Sequence, residues 1–305
     1  MNKKILILAL ILSLISPSIA KAEPAQNPTV AVFDTALDTT IPDFKDKIVY
    51  EVCILDLSLC PNGQNFMEGT GSAFLPIKFM QQSGLGHGTQ MVSTLIKTNP
   101  DVNIVFVRIV GATSTGIRQD ASEITFIKAL DWVIANKDRF NIQAVSMSQG
   151  HHNLPKVSDY CPKTISTQSR IKKLVSFGIP VFLPAGNGKD YKKIDWPACI
   201  NDSISIGAST YYEEIPEWSN VDIKKTDFYA LGTMKIAGPG NIESNQSGTS
   251  ISTQVAAANW IALKTAKPDY TYQQLYDAFK QTSISISNPK SLRGDMMYLQ
   301  GALNE

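Results

Sequence analysis

Three segments of the chain carry side chains able to do nucleophilic and acid–base chemistry. Asp34 closes the apolar run Thr29-Val30-Ala31-Val32-Phe33, His87 lies in Gly86-His87-Gly88-Thr89, and Ser250 ends Ser247-Gly248-Thr249-Ser250. Each has a bland explanation when taken alone. An aspartate at a strand end caps or turns the chain, a Ser or Thr before a helix is an N-cap, and a single histidine is usually a hydrogen-bonding part of the fold. Together they are the parts of one reaction. Acyl transfer needs a hydroxyl nucleophile, an imidazole to take its proton, and a carboxylate to hold that imidazole in the right tautomer.

The elements that must position these groups alternate along the chain. Strand patterns cover residues 29–33, 48–57, 103–110, 143–148, 181–183 and 203–206, and residues 61–84 read as a loop. Helical patterns cover 87–97, 165–177 and 272–281, with Gly178 as the C-cap of the second. Asp120 with Glu123 reads as a capping box for a further helix, in which Ile124, Ile127, Leu130 and Ile134 recur at helical spacing. Residues 249–264 are Ala-rich and apolar on most sides, as in a helix buried inside a domain. Alternating strands and helices imply an α/β, doubly wound, mostly parallel sheet with helices on both faces. Such sheets build their sites at the carboxyl edge. Asp34 would stand at that edge and His87 at a helix start beside it. Ser250 would open a second helix, whose N–H groups and positive dipole end face a developing oxyanion.

At this level of detail the sequence resembles the subtilisin-like serine peptidases, or subtilases. The chain order Asp, His, Ser is theirs. Residues 30–35, 86–89 and 248–253 resemble the family's Asp, His and Ser segments. Val145-Ser146-Met147-Ser148-Gln149-Gly150 resembles the strand lining the substrate cleft, and Pro184-Ala185-Gly186-Asn187-Gly188 the block whose Asn completes the oxyanion hole. Trp196-Pro197-Ala198-Cys199 and Ile236-Ala237-Gly238-Pro239-Gly240 also have family-like counterparts. The sequence departs from the pattern at Ala36, Gln90, Gln254 and Val255, none of them a catalytic group. The resemblance implies an Asp34–His87–Ser250 triad working through an acyl-enzyme. It implies an oxyanion hole from Asn187 and the Ser250 N–H, and substrate contacts from Ser148, Gln149, Gly150, Ala185 and Gly186. It implies no cofactor for catalysis. Structural calcium is common in the family, and Asp38, Asp43 and Asp46 stand near the first segment, but no metal ligand set is assigned. Two rival readings are a catalytically silent binding module and a transpeptidase or macrocyclase that resolves the same acyl-enzyme with an amine. Retention of all four catalytic groups argues against the first.

Composition bounds the rest. The chain has 305 residues, 43% hydrophobic and 18% charged, enough for a sizeable core. A formal net charge of +1 leaves no footprint for nucleic acid or anionic membrane. Residues 1–22 read as a cleaved signal peptide, with Lys3-Lys4, an apolar stretch too short to span a bilayer, and Ala20-Lys21-Ala22. The expected mature protein is a monomeric domain over 23–305, secreted or periplasmic, acting on polypeptides, with no membrane contact after cleavage and no room for a folding prodomain. Export makes the four cysteines candidate bridges. Three pairings are open, with four free thiols as the alternative. Cys53 with Cys60 would close a local loop, and Cys161 with Cys199 would staple a helix–strand unit from entry to exit.

Overall fold

The computed structural model describes residues 27–113, 115–150, 161 and 164–305. Residues 1–22, read above as a signal peptide, and the adjacent His151 and His152 lie outside them. The strands in chain order are β1 (Thr29–Asp34), β2 (Ile48–Ile54), β3 (Phe66–Glu68), β4 (Asn103–Arg108), β5 (Gly111–Ala112) and β6 (Arg118–Gln119). They continue as β7 (Ile142–Met147), β8 (Val181–Pro184), β9 (Ile204–Ser209), β10 (Phe228–Leu231), β11 (Thr233–Gly238), β12 (Ile242–Ser247), β13 (Ile284–Ser287) and β14 (Arg293–Met296). Ten of them form one sheet in the order β13-β14-β10-β9-β8-β7-β1-β4-β2-β3. Only the outermost pairs, β2 with β3 and β13 with β14, run antiparallel. The expected doubly wound α/β architecture is what the chain adopts.

Side-chain alternation explains the two layers. Along β1, Val30 and Val32 enter one core with Met91, Leu95 and Trp260, whereas Ala31 and Phe33 enter the other with Phe126, Leu130 and Ile171. A strand buried on both faces therefore reads as a continuous apolar run rather than an alternating one. Helices His87–Thr98 and Thr249–Ala266 cover the first face, and Glu123–Asn136 and Ile165–Ser176 the second. Gly178 takes a φ of +81° just past the last of these, as a helix-ending glycine should.

Several expectations need correction. Residues 61–84 are not all loop: they hold the edge strand β3 and a helix over Ile77–Ser83 that buries Met80. Both are short, and in the strand only the middle residue is half-buried, so no periodic signal announces them. Asp120 is not the cap of the following helix. Ser122 is, its hydroxyl accepting from Thr125 N at 3.1 Å, while Asp120 pairs with Arg118. The second strand stops at Ile54, where the chain turns into the loop closed by the Cys53–Cys60 bridge. Cys161 is bridged to Cys199, so the described residues leave no free cysteine. Among the described residues, no helix is long and apolar enough to cross a membrane.

Candidate active site

The carboxyl ends of β1, β7 and β8 and the starts of two helices meet around a cleft of about 300 Å³. His87, Ser148, Gln149, Gly150, Asn187 and Ser250 all line it, and so does Gly186. Asp34 lies beneath His87, fully buried, its Oδ1 2.8 Å from His87 Nδ1; the imidazole is 26% exposed and so reachable from the cleft.

Local packing explains why the chain presents these groups here. Thr35 Oγ1 donates to Leu85 O at 2.7 Å and accepts from Gly88 N at 2.8 Å, tying the end of β1 to the start of the His87 helix. The contact is too close for a side chain at residue 88, where a Cβ would lie 2.6 Å from Phe106 Cζ and 2.8 Å from Ala36 O. Asp38, considered above among possible calcium ligands, spends its oxygens on the protein. Oδ1 accepts from Thr40 N and Oγ1, and Oδ2 from Gly240 N at 2.7 Å. Arg108 stands opposite Asp34 in the β1–β4 register, and burial pushes its guanidinium down to about 10.

Ser250 is the second residue of its helix. Its hydroxyl donates to Ser148 O at 3.3 Å, and Ser148 Oγ donates back to Ser250 O at 3.0 Å. A nucleophile–base bond commonly tightens only when substrate is present. To reach His87 the hydroxyl has to turn away from Ser148. Gln254, one of the departures from the family pattern, donates to Ser148 Oγ at 2.9 Å and braces this pair from below.

Asn187 has its amide orientation fixed. Oδ1 accepts from Thr249 N at 2.9 Å and Thr249 Oγ1 at 3.0 Å, which leaves Nδ2 as the donor available to the cleft. Thr249 Oγ1 in turn accepts from Gly186 N at 3.2 Å. Gly186 has φ +106°, and a Cβ there would collide with the Asp195 carboxylate and the Asn220 amide, so the position requires glycine.

Not every expected contact faces substrate. Ala185 is fully buried: its N–H donates to Ile206 O, and its carbonyl accepts from Asp195 N and Asn220 Nδ2. It belongs to the wall behind the cleft and has no backbone group to offer a peptide. Gln149 does line the cleft, but its amide turns inward onto Asp34. Arg118, Asp120 and Asp195 also line the cleft, and the sequence reading placed none of them there. The only clue to Asp195 was its place beside the Trp196-Pro197 block.

The arrangement has known counterparts. The subtilase family model matches residues 25–301. An intracellular serine protease of Paenibacillus polymyxa is 25% identical over 93% of this chain and 82% of its own length. The major intracellular serine protease of Bacillus subtilis is 24% identical over 70% of this chain and 60% of its own. Among solved structures, a lanthipeptide protease superposes with a TM-score of 0.70 at 16% identity, covering 92% of this chain and 87% of that one. The epidermin leader peptide processing serine protease of Staphylococcus aureus superposes with a TM-score of 0.72 at 16% identity, covering 92% and 75%. With a family match over nearly the whole chain and the same α/β fold, this chain belongs to the subtilase family and so to the serine-type endopeptidases.

Proposed function

We propose that the chain, exported after removal of residues 1–22, hydrolyses peptide bonds through an acyl-enzyme on Ser250. Ser250 Oγ attacks the scissile carbonyl carbon while His87 Nε2 takes the hydroxyl proton. Asp34, bonded to Nδ1, keeps the imidazole oriented and stabilises the imidazolium. The carbonyl oxygen, now an oxyanion, receives hydrogen bonds from Asn187 Nδ2 and Ser250 N. Collapse of the tetrahedral intermediate transfers the proton from His87 to the leaving amine. Water then enters by the same route in reverse and frees the carboxylic acid product.

The observation that carries this reading is the 2.8 Å Asp34–His87 contact on the wall of a cleft that also holds Ser250 and an asparagine with its donor end free. The test is incubation of the mature protein with a fluorophosphonate probe, followed by a peptide-library digest. Labelling on Ser250 and internal cleavage are expected, and Ser250→Ala should abolish both. A folded sample that takes no label would instead indicate a binding module. Export is supported by the N-terminal charge and apolar pattern and by the two bridges, although the relatives compared above are named as intracellular enzymes. Recovery of the protein outside the cytoplasm with its N-terminus at residue 23 is the expected result.

A further inference from the structure

We propose that Gln149, held by Arg118, is a positioning residue that fixes the Asp34 carboxylate against His87. The inference builds on the proposed triad, and its test separates the two.

Asp34 is restrained almost entirely through one oxygen. Oδ1 accepts from Thr35 N at 2.7 Å, His87 Nδ1 at 2.8 Å and Gln149 Nε2 at 2.8 Å. Oδ2 is buried and has no hydrogen-bond partner among the described residues. The Thr35 amide belongs to the next residue in the chain, and His87 is the group being positioned. Among the described residues, Gln149 is therefore the one donor from a distant segment that holds the carboxylate from outside the pair, 115 residues along the chain. Rotation of the carboxylate would carry Oδ1 away from His87, and the Gln149 amide, bonded to that same oxygen, opposes the rotation.

The shared acceptor, Asp34 Oδ1, selects the imidazole tautomer. Gln149 Nε2 also lies 3.1 Å from His87 Nδ1. With Nδ1 protonated, both nitrogens are donors converging on one oxygen, and their closeness follows from that shared target. With Nδ1 unprotonated, its lone pair would face the Asp34 carboxylate at 2.8 Å, which is repulsive. The proton therefore sits on Nδ1, and the basic nitrogen Nε2 is the one left to take a proton from Ser250.

Arg118 keeps the glutamine from turning over. Its Nη2 donates to Gln149 Oε1, and its Nε donates to Asp120 Oδ1 at 2.6 Å. An inverted amide would set NH₂ against the guanidinium and a carbonyl oxygen against the Asp34 carboxylate, two unfavourable contacts in a poorly solvated place. Gln149 is 6% exposed with both ends of its amide engaged, so its side chain is not a free hand for substrate.

The test compares Gln149→Met, which keeps length and volume but has no donor, with Arg118→Met and the double variant. Thermal melts first confirm that each variant is folded. For Gln149→Met, kcat is expected to fall about 10-fold or more, towards the ~10²-fold that a misplaced catalytic group can cost, with KM nearly unchanged. Arg118→Met should give a smaller loss, and the double variant should be no worse than Gln149→Met, because Arg118 acts through the glutamine. The second readout needs no activity. In a Ser250→Ala background with ¹⁵N-labelled histidine, the downfield Nδ1–H resonance, assigned with His87→Ala, should move on Gln149→Met. An unmoved resonance with unchanged kcat, or a loss confined to KM, overturns the proposal. A resonance that moves in a protein whose wild type cleaves no peptide leaves Gln149 in this role and refutes the endopeptidase reading instead.

Discussion

The two halves of the cleft are built from the same parts and use them differently. On the His87 side, the buried hydroxyl of Thr35 joins a strand end to a helix start and touches only backbone, Leu85 O and Gly88 N. On the Ser250 side, the buried hydroxyl of Thr249 also takes a backbone N–H, that of Gly186, but donates to the Asn187 side chain. One threonine fastens scaffold to scaffold, and the other orients a side chain of the cleft. The difference matches what each side must do. The carboxylate and imidazole have to be in register before substrate arrives, so their frame is welded. In the proposed mechanism the nucleophile and the oxyanion donor act on an atom that moves during the reaction. Here the serine rests on Ser148 O, and only the Asn187 amide, the proposed oxyanion donor, is fixed in advance.

The strongest way to break this contrast is Asn187→Ala. If Nδ2 is aimed at the oxyanion, kcat should fall by about 10²–10³-fold with KM little changed, since the interaction is made mainly in the transition state. Steady-state kinetics on a single peptide decide it. A raised KM with kcat unchanged would show that the side chain binds ground-state substrate as well as the transition state.

A smaller effect separates the frames behind the two halves. The Cys161–Cys199 bridge backs the Ser250 side: Cys199 N donates to Asp195 O, and Asp195 N to Ala185 O, one residue from Gly186. The Cys53–Cys60 bridge lies at the end of β2, two strands out from β1. The first spans 38 residues and the second seven. Chain entropy alone then predicts losses of about 4 kcal/mol and about 2.5 kcal/mol when each pair is changed to alanine. Denaturant unfolding of the two double variants measures both. The longer bridge should also cost activity at temperatures where the fold survives, because its loss loosens the wall that carries Gly186. The shorter should not.

How much of this could be read in the sequence depends on whether a feature is local. Asp34, His87 and Ser250 each sit at the boundary of a strongly patterned element, and the boundary itself is the signal: an apolar run that stops, a helix that starts. The layers were legible for the same reason, because Val30 to Phe33 can be apolar throughout only if both faces are covered. What failed was either too short to be periodic, such as β3 and the helix Ile77–Ser83, or settled by a competing side chain, as when Ser122 rather than Asp120 caps its helix. The hairpin β11–β12 went unread as strands because its second strand, Ile242–Ser247, is largely exposed and polar. Gln149 shows a harder limit. Its place beside the cleft was legible from the motif, but its bonds reach residues 34 and 118, and no spacing rule encodes those.

The last prediction tests the threonine contrast itself, with the isosteric changes Thr35→Val and Thr249→Val. In the first, Gly88 N loses its acceptor in a fully buried place, while Leu85 O keeps a bond from Ala36 N at 3.0 Å. One orphaned buried donor costs about 1–3 kcal/mol of stability. In the second, Gly186 N loses its acceptor too, so some stability should go. Asn187 Oδ1, however, keeps only the Thr249 N–H of its two donors, and the amide can then swing. Melting curves and kcat are measured on both. Thr35→Val should lose more in stability than in kcat. Thr249→Val should show the larger fall in kcat, about 10-fold, since misaiming a donor forfeits part of what deleting it would. If the two variants lose kcat equally for equal loss of stability, the hydroxyls have the same job, and the distinction between a welded half and an aimed half fails.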